Sequence, residues 1–163
     1  MRLLTCLTAL LLSASSALAA DRELSFGLGY SEFSRPGAKN GALLSFEYRH
    51  RPFYTKGALS ARFGAAMDVQ ETGDVFLGAG INGLWDLGQA WFIEAGVMPG
   101  VFLENVSLND LGSTFEIRSQ LSIGRHFSNG TALSLSLSHK SNASTASINP
   151  GLNSVLVRWH VPF

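Results

Sequence analysis

The stretch "TALSLSLSHKSNAS", Thr131 to Ser144, alternates leucine and serine. Leu133, Leu135 and Leu137 share one parity, and Ser134, Ser136 and Ser138 share the other. This is the period of a β-strand with one apolar and one polar face. Two steps further, the leucine parity falls on His139 and Ser141. An imidazole and a hydroxyl, groups suited to acid–base and nucleophilic chemistry, therefore lie on the apolar side. In a soluble protein that side would be the core, so the run forces a choice between two kinds of β architecture.

The same alternation recurs in eight segments separated by Gly, Pro, Asn, Asp and Ser clusters: Glu23–Glu32, Gly41–Arg49, Gly57–Met67, Asp74–Trp85, Ala90–Leu103, Thr114–Gly124, Thr131–Ser141 and Asn153–Phe163. Pro99 predicts a bulge or distortion in the fifth. The face opposite the apolar residues is polar or small, as in Ser45, Glu47 and Arg49 or Glu116, Arg118, Gln120 and Ser122. Tyr30, Tyr48, Trp85, Trp91 and Trp159 fall near segment ends, like the aromatic girdles of outer-membrane barrels. The segment lengths suit strands crossing a tilted band about 25 Å tall. The chain also stops on Phe163, in phase with Trp159 and Val161, which resembles the assembly signal of bacterial outer-membrane proteins.

In hydrocarbon a sheet must close so that no edge amide is left unpaired, and eight strands make a narrow barrel that side chains can fill. The expected fold is thus all-β: an eight-stranded antiparallel transmembrane β-barrel with its apolar residues facing lipid. A soluble periplasmic β-sandwich is the rival. Interior Glu47, Arg49, Arg62, Glu94, Glu116 and Arg118 are expected to plug the lumen.

The first residues carry one Arg, an apolar core from Leu3 to Leu12 and a small-residue ending Ala17-Leu18-Ala19, the pattern of a cleaved secretory signal peptide over residues 1–19. The expected mature domain is 20–163. Removal of Arg2 and Cys6 leaves no thiol, and it changes the balance from 12 cations and 12 anions to a net charge of −1. A nucleic-acid partner would call for a basic excess, so none is expected.

With both termini periplasmic, the seventh strand runs outward and the eighth returns. His139, Ser141 and Asn153 then meet at the outer boundary, on the lipid-facing parity. Residues two apart on a strand lie about 6.6 Å apart on one face. That spacing suits a couple in which histidine takes the serine proton and returns it to the leaving group. Ester groups of outer-leaflet lipids would lie beside it.

His139-Lys140-Ser141-Asn142-Ala143, followed by Asn149-Pro150-Gly151-Leu152-Asn153 and a last strand ending in Phe, resembles the PagL family of lipid A 3-O-deacylases. The close resemblance covers about the last quarter of the chain. It implies hydrolysis of the ester-linked 3-hydroxyacyl chain at position 3 of lipid A, by a Ser–His–Glu triad on the barrel's outer wall. Carried over, Ser141 is the nucleophile and His139 the base, while Asn142, Asn149 and the Gly151 backbone hold the oxyanion or position substrate. The family's glutamate falls on Asn153, whose amide oxygen can still accept from the imidazole. No Asp or Glu follows Glu116, and Glu32, at the outer end of the first strand, is a candidate acid surrogate.

No cofactor is implied. The four histidines, His50, His126, His139 and His160, show no metal-ligand spacing. Gly78-Ala79-Gly80-Ile81-Asn82-Gly83 fits a dinucleotide fingerprint but opens no helix. Lys140, Arg35 and Lys39 are candidates for pairing with lipid A phosphates. The expected partners are lipid A or lipopolysaccharide and the outer membrane, with a homodimer open as the assembly. The alternatives are a structural or adhesive barrel that keeps the motif without activity, and an acyltransferase, for which no acceptor site is visible.

Overall fold

The computed structural model describes residues 21–163; the signal peptide expected over residues 1–19, with Cys6 in it, lies outside the described residues. Eight strands follow in order: β1 (Glu23–Phe33), β2 (Gly41–Lys56), β3 (Leu59–Gln70), β4 (Val75–Gly88), β5 (Trp91–Leu103), β6 (Phe115–His126), β7 (Ala132–Ser141) and β8 (Leu152–Pro162). Each pairs antiparallel with its neighbour in sequence, and β1 pairs with β8 to close the barrel. From Glu23 through Arg49, Gly64 and Gly80, across to Met98, and on through Arg118, Lys140 and Leu152, the ladder returns to β1 at Phe33, ten residues above its start. That stagger tilts the strands and sets the barrel's width. No helix among the described residues is long and apolar enough to cross a membrane, which says nothing of a β-barrel, since membrane barrels cross with strands.

The barrel is inside out relative to a soluble protein. Phe26, Leu28, Leu44, Leu121, Leu135, Leu137, Val155 and Val157 are exposed on the outer wall. Glu47, Arg49, Asp68, Glu94, Arg118, Lys140 and Arg158 are buried inside. Glu47 receives Arg49, Arg118 and Arg158. Asp68 receives Arg118 and Lys140, and Arg49 also reaches Glu94 and Glu23. A buried charge is tolerated when paired and hydrogen-bonded, and here each of these seven ions pairs with another.

The lumen network differs in membership from the sequence expectation. Glu47, Arg49, Glu94 and Arg118 belong to it, joined by Glu23, Asp68, Lys140, Arg158 and His160. Arg62 and Glu116 make no ion pair among the described residues; Glu116 faces the outer rim near Ser113. Lys140 does not reach toward lipid phosphates: its parity turns it inward, 2.7 Å from Asp68 and over the ring of Phe76. Arg35 lies 3.6 Å from Asp110 of the β5–β6 loop. At Pro99 the register continues unbroken, although the β4–β5 pairing lapses opposite Pro99 and Met98, where the imide offers no N–H. Register shifts fall instead around Pro52, in a β2 that runs on to Lys56, and between Asp86 and Gly88 in the β4–β5 pairing.

The outer end is closed by an apolar cluster of Phe33, Phe76, Phe102, Leu111 and Leu152. Above it, fully buried Asp74 accepts from the backbone N–H of Asn105 (2.7 Å), from Thr72 Oγ1 (2.6 Å) and from the Asn109 amide. Asn109 in turn accepts from the Lys39 N–H at 2.7 Å, so three outer loops share one anchor.

Glu47→Leu should leave three guanidinium groups around a missing anion and destabilise the barrel by about 3–5 kcal/mol. The check is the urea midpoint of the purified barrel in detergent; an unchanged midpoint would show that the network contributes little.

Candidate active site

Four outward-facing residues form a row across the outer part of the wall. Glu32 on β1 pairs with Asn153 on β8, Asn153 with His139 on β7, and His139 with Ser119 on β6. All four are exposed on the lipid-facing side and line a groove of about 480 Å³ continued by Tyr30, Leu121, Leu137 and Val155. The polar row thus sits at the head of an apolar channel, an arrangement suited to an ester whose alkyl chain runs along the wall.

Strand alternation alone orients His139 outward, between inward-facing Ser138 and Lys140. Its Nδ1 lies 2.8 Å from Asn153 Oδ1. With the amide oxygen as acceptor, Nδ1 carries the proton and Nε2 is left free to take one.

Two hydroxyls flank this imidazole: Ser141 two residues along β7, and Ser119 directly across on β6. Sequence reading missed Ser119, because only the register brings it beside the histidine. The ring's lean discriminates between them. A Cβ on Gly151 would fall 2.9 Å from His139 Cε1 and 3.6 Å from Nε2. One step beyond the Lys140–Leu152 pair, Gly151 comes level with Ser141. The ring therefore tilts outward, toward the level of Ser141 and away from Ser119. Among the described residues no hydrogen bond joins His139 to Ser141; such bonds commonly tighten only when substrate is bound. Gly151 is needed twice over, for its left-handed φ of +76° and for the space the ring occupies.

Asn142 is fully buried and holds the turn after Ser141. Its Nδ2 donates to Leu111 O (3.1 Å) and Ile148 O (2.8 Å), and its Oδ1 accepts from Ser144 N–H (3.0 Å). Its own N–H donates to Asn149 Oδ1 at 3.1 Å. The side-chain amide of Asn142 is thereby committed to structure, and it ties the turn to the β5–β6 loop. Gly151 O accepts from Ser34 N–H at 3.1 Å, tying the other end to β1.

A second Ser–His–Glu arrangement lies in the lumen, and sequence reading did not anticipate it. Ser134 Oγ is 2.8 Å from His160 Nε2, and His160 Nδ1 is 2.8 Å from Glu23 Oε1. All three are buried, with Phe92 packed edge-on to the His160 ring. No substrate could reach a serine sealed in this way; the trio links β7, β8 and β1 at the end of the barrel where β1 begins and β8 ends. No group of three His, Cys, Asp or Glu suited to a metal ion occurs among the described residues.

The model of the family described as lipid A 3-O-deacylase (PagL) matches residues 25–162. Among solved structures, the outer membrane enzyme PagL superposes with a TM-score of 0.71 at 20% identity, covering 86% of this chain and 99% of that one. Neisserial surface protein A superposes with a TM-score of 0.62 at 10% identity, covering 88% and 97%. A de novo designed transmembrane β-barrel gives 0.57 at 10% identity, covering 91% and 100%. At these identities the structural likenesses show the fold. No curated protein matches the chain significantly by sequence.

Gly151→Ala should strain the backbone and push the imidazole aside. Displacements of about 1 Å can cost about a hundredfold in rate, so deacylation of lipid A should fall by about that factor in a barrel that still folds. Wild-type turnover in a folded Gly151→Ala variant would mean that the ring position matters less than the geometry implies.

Proposed function

The chain belongs to the lipid A 3-O-deacylase (PagL) family, ester hydrolases acting on lipid A in the outer membrane, and we propose that Ser141, His139 and Asn153 carry out this reaction on the outer wall of the barrel. The observation that carries the assignment is the 2.8 Å contact between His139 Nδ1 and Asn153 Oδ1, on the lipid-facing side and beside Ser141. A structural or adhesive barrel is not favoured by the family match.

In the proposed reaction, His139 Nε2 takes the Ser141 proton as Oγ attacks the carbonyl of the 3-O-linked acyl group. The tetrahedral intermediate collapses when the imidazolium returns that proton to the departing sugar oxygen. Deacylated lipid A leaves, and the acyl group stays on Ser141. Water, deprotonated by the same nitrogen, then attacks the acyl-serine, and the imidazolium returns that proton to Ser141 Oγ as the 3-hydroxy fatty acid leaves.

Asn153 orients the ring through its oxygen, but a neutral amide stabilises the imidazolium less than a carboxylate would. Asn142 and Asn149 act by fixing the turn. Main-chain groups of that turn, with Gly151, supply the polar surroundings of the oxyanion. The apolar groove below His139, lined by Leu121, Leu137 and Val155, supports an alkyl chain lying along the wall.

Lipid A mass spectra from cells expressing each variant test the assignment. Wild type should remove one 3-hydroxyacyl mass, and Ser141→Ala should lower that turnover by at least about a thousandfold. Ser119→Ala should retain the activity; the opposite pattern would move the nucleophile to β6.

A further inference from the structure

Asn153 can serve His139 in only one of its two amide orientations. With Oδ1 toward the ring, Nδ1 keeps its proton and Nε2 is a base. Rotated by half a turn, Nδ2 would donate to Nδ1, the ring proton would move to Nε2, and the base would be lost. The imidazole does not choose between these states, because each amide orientation matches one tautomer. A third group has to hold Nδ2 on the side away from the ring.

Glu32 stands where such a group is needed. It faces Asn153 directly in the β1–β8 ladder, on the side opposite His139. Both side chains are exposed on the outer wall and line the same groove. Among the described residues the side-chain hydrogen bond of Asn153 is to His139, and none joins it to Glu32. Directly opposed residues on antiparallel strands, however, hold their Cβ atoms about 4.5–5.5 Å apart, so a rotamer change of Glu32 brings its carboxylate to Asn153 Nδ2. Glu32 is also the one acid lining that groove, whose other members are Tyr30, Ser119, Gln120, Leu121, Leu137, Ser138, Ser154 and Val155 besides His139 and Asn153. Two strand spacings, about 9.6 Å, separate it from His139, so it reaches the ring through Asn153 and not directly.

We propose that Glu32 is a positioning residue: its carboxylate accepts a hydrogen bond from Asn153 Nδ2, which locks Oδ1 onto His139 and selects the Nδ1–H tautomer. The inference rests on the roles given to His139 and Ser141 above. An ionised acceptor is what makes the lock strong, since charge-assisted hydrogen bonds are about twice as strong as neutral ones.

The test compares the full-length barrel, purified in detergent, as wild type, Glu32→Ala, Glu32→Ala/Asn153→Glu and Ser141→Ala, each checked for the heat-dependent gel mobility of a folded barrel. Glu32→Ala should lose about tenfold in kcat on lipid A with little change in KM. Nitrogen-15 spectra of the ring should shift from one Nδ1–H tautomer toward a mixture. Asn153→Glu should rescue Glu32→Ala, because a carboxylate at position 153 accepts from Nδ1–H in either orientation. Undiminished kcat or an unchanged tautomer in Glu32→Ala overturns the proposal. So does a double variant as slow as Glu32→Ala, which would make Glu32 a substrate contact or a fold determinant. A Ser141→Ala variant that still turns over would instead sink the assignment of the nucleophile.

Discussion

Closure of the ladder between β1 and β8 is the constraint on which the rest of the structure depends. An open sheet in hydrocarbon would leave a row of amides with neither protein nor water to satisfy them. Closing it turns the apolar face outward and confines the polar face to a narrow lumen. The same seam performs two further tasks. At the end where β1 begins it joins Glu23 to His160, and at the opposite end it sets Glu32 beside Asn153.

Once closed, the lumen has to hold its charges without water enough to solvate them. Glu47 at the centre of three guanidinium groups, and Asp68 between Arg118 and Lys140, meet that need by mutual pairing. Because these pairs cross between β2, β3, β6, β7 and β8, they resist changes in register. A packed lumen therefore makes a rigid wall, and a rigid wall is what holds His139 and Asn153 at hydrogen-bond distance on an exposed surface. The buried Ser134–His160–Glu23 trio shows that triad-like spacing alone does not make an active site: solvent and substrate access decide.

The proposed placement of ester chemistry on the outside of the barrel also changes what a pocket has to be. The membrane supplies the apolar medium and brings the acyl chain to the wall, so the protein needs only a shallow groove and a polar row at its head. The turn from Asn142 to Gly151 is braced by the Asn142 amide on Leu111 O and by the Ser34 N–H on Gly151 O. The proposed catalytic edge can thus remain open to lipid while its backbone is held firmly.

Alternation by itself determined the strand count and the face on which His139, Ser141 and Asn153 lie, because parity is carried by neighbouring residues and needs no knowledge of partners. The inside-out polarity needed the aromatic residues at segment ends and the segment lengths as well. Tertiary structure alone decided which side chains meet across strands. Ser119 beside His139, Glu32 beside Asn153 and Lys140 against Asp68 all follow from register, which depends on how the ladder closes around ten residues of stagger. The same is true of Asn142: its place after Ser141 can be read in the chain, but its commitment to Leu111 and Ile148 exists only once the loops fold together. Local period is written in each strand; pairing is a property of the closed sheet.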